Sequence, residues 1–449
     1  MKPPRRAPPG PALEGAAESA LLAALDRLGV AGSAQLQAAL GRSQPTLSRL
    51  LAGLGGQVLA LGRGRRTRYA LAEPLFGQPA RQPLHWVHAD GRIERWGTVS
   101  LARGGRVHVE GPGLDLLTQG ALPWLLAPLR AEGFLGRLLA QRLAGLGLDR
   151  QPERWSVAEQ LFAALQQTDG PGALVLGEPR VSALPAAEDL DARADEAAAG
   201  PPPGSSAAGE QPKFLARRAD GTAVLVKFSP PRGTHYGERW HDLLHAEALA
   251  LQVLGEHGVP VARARIVQTE RRTALESERF DRVPVAPASH GAGTLEGTLE
   301  GRRHVLPLHA VHEAFVGGPR RHWADSVAVL VRQRRLPAAA AAQVEALLRF
   351  GRLIGNSDMH FGNLALTVEP QAVAAARFGL APVYDMLPMR WRPDPASGAL
   401  DWLPFTPEPA DLQSPARAVA AAFWHRASRH APLSGGLREL ARTMHSRLA

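Results

Sequence analysis

The residues best suited to chemistry lie in the second half of the chain, just after an expected helix. Asp358 is followed by Asn363 in the spacing Asp-x4-Asn, and Asp385 ends an apolar stretch further along. Phosphotransferases use these residue types in this order. The first Asp orients or deprotonates a hydroxyl, and the Asn and second Asp bind Mg²⁺ against phosphates. Asp-x4-Asn often occurs by chance, so it indicates a phosphotransferase only if the chain also contains the other residues that such a site needs.

Two internal lysines supply a matching cation. The 52 basic residues Lys+Arg include only three lysines, and the two beyond the N-terminus are Lys213 and Lys227. Arginine does not reproduce a compact, flexible ammonium, so a lysine retained in so arginine-rich a chain suggests a specific role. Lys227 lies near the end of the apolar run 224–228, where a strand-borne lysine can neutralise nucleotide phosphates. Glu247, on the next expected helix, is placed to pair with it.

A hairpin is predicted between the two lysines. Asp220-Gly221 is a strong turn signal, and with these two residues as the turn, residue 219 pairs with 222 and residue 213 with 228. Whether the lysines share a face stays open, because a slip of one residue reverses every side chain.

Positive charge is concentrated at the N-terminus. Residues 1–70 hold ten basic and three acidic residues, against a formal net charge of +10 for the whole chain. Their pattern predicts three short helices and a two-stranded basic hairpin, which resembles a winged helix-turn-helix. The expected DNA contacts on the recognition helix and the wing are Ser43, Gln44, Thr46, Ser48, Arg49, Arg63, Arg65, Arg66 and Arg68. The alternative is a basic domain docked on the rest of the protein.

Composition excludes several classes of protein. Cysteine is absent, which rules out disulfides, a thiol nucleophile and a cysteine-based zinc site. No apolar run is long enough to span a membrane, and the N-terminus does not read as a secretory signal, so a soluble cytoplasmic protein with no membrane partner is expected.

The length predicts two or three domains. The expected organisation is a DNA-binding winged helix-turn-helix at 12–72, a mixed subdomain at 80–185, a mobile serine-containing loop at 186–209, an N-lobe at 210–300 and a helical C-lobe at 301–449.

Six stretches together resemble the HipA family of bacterial Ser/Thr kinases, the toxins of type II toxin–antitoxin modules. They are GFLGR at 133–137, SAAGEQPKF at 206–214, VLVKF at 224–228, ERFDR at 278–282, LIGNSDMHFGN at 353–363 and PVYDM at 382–386. The added N-terminal domain is similar to the longer, YjjJ-like branch. The resemblance implies an α+β fold, a winged helix-turn-helix followed by a bilobal protein-kinase-like region with a mixed N-lobe and a mainly helical C-lobe.

The resemblance also implies residue roles. Asp358 would be the catalytic base, Asn363 and Asp385 the Mg²⁺ ligands, and Lys227 the ATP-phosphate contact. Ser206 would be autophosphorylated, with the adjacent Ser205 left as the alternative. The other expected nucleotide contacts, in the phosphate loop, the adenine hinge and the catalytic region, are Ala208, Gly209, Glu210, Gln211, Pro212, Lys213, Glu278, Arg279, Phe280, His360 and Tyr384. Pro212 departs from the glutamate of some toxins and removes one N–H that could contact phosphate.

The expected function is Mg-ATP-dependent phosphorylation of a Ser/Thr hydroxyl on a protein. The resemblance implies a translation component, for example an aminoacyl-tRNA synthetase, as the substrate, with growth arrest as the outcome. DNA and an antitoxin are the other candidate partners. Two alternatives stay open: a DNA-binding regulator whose kinase region only senses nucleotide, and a small-molecule phosphotransferase of the aminoglycoside type.

Overall fold

The computed structural model describes residues 11–180, 184, 186, 189–199, 211–284, 300–393 and 401–449. The expected phosphate-loop residues Ala208, Gly209 and Glu210, and the serines Ser205 and Ser206, lie outside the described residues. Within those ranges, no helix has the length and apolar character needed to cross a membrane.

The N-terminal unit combines three helices with a small antiparallel sheet. Helix α1 ends before Gly29, whose φ of +71° suits a residue without a side chain, and Ser43 directly precedes the third helix. The strand order is β1-β3-β2. The elements are α1 Pro11–Leu28, β1 Val30–Gly32, α2 Ser33–Leu40, α3 Gln44–Gly53, β2 Val58–Leu61 and β3 Arg68–Leu71.

A five-stranded antiparallel sheet forms the next domain, here called the middle domain, in the order β7-β6-β5-β4-β8. A 3-10 segment Trp124–Leu129, which contains Pro128, precedes the α-helix Gly133–Leu143. Proline has no N–H for an α-helical bond. The elements are β4 Arg81–Val87, β5 Ile93–Ala102, β6 Arg106–Gly111, β7 Leu114–Gln119, α4 Gly133–Leu143, α5 Val157–Gln166 and β8 Leu174–Leu176.

A four-stranded lobe follows, with strand order β11-β12-β10-β9. A loop was expected over residues 186–209, but residues 190–198 of this segment form a helix, the first of the lobe. The Asp189 carboxylate caps that helix at the N–H of Ala192 (3.0 Å), and Leu190 packs into the core of the lobe. The elements are α6 Leu190–Ala198, β9 Lys213–Arg217, β10 Ala223–Phe228, α7 His235–Glu256, β11 Ala264–Gln268 and β12 Thr273–Glu278.

The rest of the chain forms a mainly helical lobe, as predicted. The strands that the structure describes here form one two-stranded and one three-stranded sheet. The elements are β13 Arg282–Val283, β14 Gly301–Arg302, β15 His304–Pro307, α8 Leu308–Phe315, α9 Trp323–Arg332, α10 Ala339–Leu353, β16 Ala365–Val368, β17 Gly379–Leu380, α11 Pro409–Leu412, α12 Ala416–Arg429 and α13 Gly435–Leu448.

The apolar cores show which domains share a continuous hydrophobic core. One contiguous core includes Leu84 and Trp86 of the middle domain together with Leu306 and Phe350 of the helical lobe. The N-terminal unit has a core of its own. It meets the middle domain through a small apolar cluster formed by Leu59, Leu61, Ala70, Ala80 and Ala102.

Candidate active site

The hairpin β9–β10 brings the two internal lysines together. The expected register is wrong by one residue, because Lys213 pairs with Lys227. The loop has three residues rather than two: the N–H of Arg218 bonds the carbonyl of Thr222 (2.9 Å), and Gly221 adopts a φ of +85°. Such a loop is a type I turn followed by a left-handed residue. Directly opposed residues lie on one face, so both lysines face the same side of the sheet.

Lys227 is 3% exposed and holds two carboxylates. Its Nζ donates to both carboxylate oxygens of Glu247, at 2.7 and 2.8 Å, and to Oδ1 of Asp385. Burial alone would lower the pKa of Lys227, but Asp385 and Glu247 outweigh it and raise that pKa. Burial raises the pKa of Glu247, which Lys227 opposes. A strand lysine, a helix glutamate and the later aspartate therefore form one charged cluster.

Asp385 combines an unusual backbone with a charged partner. Its φ of +52° is in the left-handed region, which costs energy for a residue with a side chain. Burial would raise the pKa of Asp385, but the ammonium of Lys227 outweighs it and lowers that pKa. The carboxylate is therefore ionised at neutral pH and available as an oxygen ligand.

Asn356 connects Asp385 to the loop that carries Asp358. Its Oδ1 accepts the N–H of Asp358 (3.0 Å), and its Nδ2 donates to the carbonyl of Asp385 (3.4 Å). Asn363 donates its Nδ2 to the Asp358 carbonyl (2.8 Å), which leaves its Oδ1 as the atom suited to a metal. Asp358 lines a cleft of about 330 Å³. Asn356 was not among the site residues expected from the sequence, although Asn is a common turn residue whose side chain bonds the backbone two residues on.

Aromatic and histidine side chains flank this loop. The hydroxyl of Tyr384 donates to the carbonyl of Gly362 (2.6 Å), and burial raises the pKa of Tyr384. The rings of Phe280 and Tyr384 lie 5.6 Å apart. His360 is exposed, and its Nδ1 accepts the N–H of Gly362 (3.0 Å), so it braces the loop.

The side chains of the expected hinge residues 278–280 contact three different parts of the protein. Glu278 bonds Arg218 (2.8 Å) and the ring of Phe280 faces Tyr384, but the guanidinium of Arg279 is buried against Asp169 and Asp281. The donors of the Arg279 side chain are therefore already used in ion pairs, and the role of Arg279 in the adenine hinge stays a prediction.

The start of β9 carries the described part of the expected phosphate loop. Gln211, Pro212 and Lys213 are half-buried. The Nε2 of Gln211 is buried without a hydrogen-bond partner among the described residues. An unpaired buried amide donor is suited to an oxygen-rich ligand.

The expected DNA contacts also divide into two groups. Ser43 directly before α3 is exposed, as are Gln44, Ser48 and Arg49 on α3, and Thr46 is half-buried. On the hairpin, Arg65 and Arg66 are exposed. The other two hairpin arginines contact the middle domain instead of solvent alone: Arg63 pairs with Glu110, and Arg68 pairs with Asp115 (3.0 Å).

The chain is similar to known proteins over most of its length. Residues 205–445 match the HipA-like C-terminal domain, and residues 78–184 match the middle domain of YjjJ-like toxins. The chain is 33% identical to Toxin YjjJ of Escherichia coli (strain K12) over 445 residues, which cover 91% of this chain and 93% of that protein.

A solved structure shares the fold. It is a chain of the Shewanella oneidensis MR-1 toxin–antitoxin complex of HipA, HipB and operator DNA, with a TM-score of 0.51 and 17% identity; the match covers 82% of this chain and 95% of that one. The chain thus has a HipA-like fold. The chain belongs to the family of HipA-like toxins, with the middle domain typical of its YjjJ-like members.

Proposed function

We propose that this chain is an Mg-ATP-dependent Ser/Thr protein kinase of the HipA toxin type. The observation that carries the proposal is the buried cluster of Lys227, Glu247 and Asp385 beside the Asp358 loop. A lysine held by a helix glutamate, next to a metal-binding aspartate, is the arrangement that protein kinases use to hold nucleotide phosphates.

The donor set fits Mg²⁺. Asp385 supplies an ionised carboxylate and Asn363 an amide oxygen. Mg²⁺ is commonly held by one or two protein oxygens together with substrate phosphates. When bound, the ion would neutralise charge on the phosphates. Lys227 would hold phosphate oxygens, and Asp358 would orient the accepting hydroxyl and receive its proton.

The phosphate loop and autophosphorylation belong to the same proposal. Ala208 to Lys213 would cradle the phosphates, and Ser206, with Ser205 as the alternative, would be the autophosphorylated residue. The protein substrate would be a translation component such as an aminoacyl-tRNA synthetase, and an antitoxin would be a binding partner. These proposals are supported by the family of the chain.

Phosphate transfer from labelled ATP tests the proposal. Asp358→Ala should reduce transfer by orders of magnitude, because positioning and electrostatics carry this chemistry. Asp325→Ala is the matched control, since Asp325 is an exposed aspartate on α9. Full transfer by Asp358→Ala would overturn the assignment of the base. Phosphoproteomics after expression of the same proteins would identify the acceptor, and transfer only to a small molecule would support the aminoglycoside-type alternative.

We further propose that the N-terminal unit is a winged helix-turn-helix that binds DNA. Exposed short polar side chains on α3, together with Arg49, Arg65 and Arg66, support this, because such groups read base edges and contact phosphates. DNA binding without ATP turnover would instead favour the alternative of a regulator that senses nucleotide.

A further inference from the structure

A loop of the middle domain reaches the hinge between the two lobes. The loop, residues 168–172, connects α5 to β8 and reads Thr-Asp-Gly-Pro-Gly. The carboxylate of Asp169 pairs with Arg279 and with Arg282 (3.0 Å). The carbonyl of Gly170 accepts from Arg282 (2.7 Å), and the N–H of Gly172 donates to Asp281 (2.9 Å). Backbone and side chains of this loop thus hold three charged groups of the hinge region.

These charges are withdrawn from water. The side chains of Asp169 and Asp281 are each 8% exposed, and those of Arg279 and Arg282 are 7% and 2% exposed. Burial would raise the pKa of both carboxylates, but the two guanidinium groups outweigh it and lower both values. Arg302 also donates to the loop, at the carbonyl of Thr168 (3.2 Å), and burial lowers its pKa to about 9. Because buried charges require partners, removing one member leaves the others uncompensated.

The hinge backbone is held from a second side as well. The N–H of Arg279 donates to the carbonyl of Ala223 (3.0 Å) in β10, and Glu278 ends β12, which pairs with β10. Between the buried groups Arg279 and Asp281, Phe280 points instead to Tyr384 beside the charged cluster. The position of Phe280 is therefore set by the anchoring of its two neighbours.

We propose that the loop 168–172 is a positioning element for the nucleotide, and that Asp169 acts through Arg279 and Arg282 to fix Phe280 and the hinge backbone against the adenine. The proposal rests on the proposed kinase function. Asp169 itself does not touch the nucleotide, so it is a positioning residue. The middle domain would then contribute to ATP affinity rather than only to the stability of the fold.

The test measures the affinity for ATP and the rate of phosphate transfer separately, in the full-length chain. Asp169→Asn should raise the KM for ATP, and the Kd for a fluorescent ATP analogue, by about tenfold, which corresponds to about 1.4 kcal/mol. The kcat should stay within about threefold, because the groups around Asp358 are unchanged. Asp169→Glu, which keeps the charge, should restore part of the affinity. Glu94→Gln is the matched control, since Glu94 is an acid of the same domain with a 41% exposed side chain, paired with His88 (2.9 Å).

The outcomes are distinguishable. An unchanged ATP affinity in folded Asp169→Asn, or an equal loss in Glu94→Gln, would overturn the positioning role. If Asp169→Asn does not fold, Arg282→Lys, which weakens the contacts with Asp169 and Gly170 while keeping the charge, is measured in the same way and decides the question. Wild-type protein that binds no ATP would instead overturn the proposed kinase function.

Discussion

The middle domain has two interfaces, and both contain arginine–carboxylate pairs. The pairs are buried at one interface and exposed at the other. Against the lobes, its loop 168–172 buries arginine–carboxylate pairs, and its apolar core continues into the helical lobe. Against the N-terminal unit, it offers a small apolar cluster with exposed ion pairs around it. In the pair of Arg63 and Glu110, the arginine side chain is 90% exposed.

The difference in burial indicates which of the two interfaces can open without a large loss of stability. An exposed ion pair contributes about 0–1 kcal/mol and weakens with salt, so a DNA phosphate can compete for its arginine. Breaking a buried pair by removing one partner costs about 3–5 kcal/mol, so that interface is permanent under ordinary conditions. The N-terminal unit is thus the separable part, and the middle domain and the lobes form one structural unit.

The largest effect is expected from a break in the buried interface. Arg282→Ala leaves Asp169 and Asp281 short of a partner and should lower the free energy of unfolding by about 3–5 kcal/mol. Urea unfolding followed by circular dichroism measures this. Arg92→Ala, which removes an arginine with a 59% exposed side chain, is the control and should change little. Equal effects of the two substitutions would remove the distinction between the interfaces.

A pH effect should come from the same buried interface. His304 accepts the N–H of Ala173 (3.3 Å) and contacts the carbonyl of Leu125 (2.9 Å), and burial lowers its pKa from 6.5 to about 4. Between about pH 4 and pH 6.5, His304 is protonated in the unfolded chain but neutral in the folded protein. Stability is therefore full above about pH 6.5 and falls as the pH drops towards about 4, by up to about 1.4 kcal/mol per unit.

The comparison that checks it uses His304→Gln. This variant should be less stable at neutral pH but should lose less stability between about pH 6.5 and about pH 4.5. The contrary result, an unchanged slope in urea unfolding at these pH values, would assign the pH dependence to other histidines.

A smaller effect is expected at the exposed hairpin of the N-terminal unit. Replacing Arg65 and Arg66 together by Ala should reduce the slope of log affinity against log salt by about one for each phosphate that the hairpin no longer neutralises. Fluorescence anisotropy with duplex DNA measures the slope. Arg332→Ala and Arg334→Ala on the helical lobe, made together, control for net charge. A slope that these control substitutions reduce equally would exclude a specific role of the hairpin.

The smallest effect is expected from Glu110→Gln, which frees Arg63. Stability should change by less than about 1 kcal/mol, because the pair is exposed. If the hairpin binds DNA, affinity at low salt should rise by about two- to fivefold and return to the wild-type value at high salt. Affinity that is lower than wild type would show that docking on the middle domain supports DNA binding instead of competing with it.

The sequence predicted the pairing of Lys227 with Glu247 because a glutamate on the helix after a strand-borne lysine follows the pattern of protein kinases. It missed the register of β9–β10, since a two-residue and a three-residue loop share the Asp-Gly signal. The ion pair of Arg279 was not predictable either, because its partner Asp169 is distant in sequence and belongs to another domain. Asn356 and α6 were missed because their roles depend on contacts that only the folded chain creates.

The contact between Lys227 and Asp385 has a consequence for the order of binding. In the structure, the carboxylate proposed to hold Mg²⁺ is already neutralised by an ammonium within the protein. Under the proposed function, free Mg²⁺ would therefore have to compete with a cation that is covalently tethered to the same protein and has a high local concentration. In the proposed kinase, the phosphates of a nucleotide would offer the ammonium of Lys227 another partner and would leave Asp385 available to the metal. Metal and ATP would consequently enter as a complex, with strong mutual dependence, rather than one after the other.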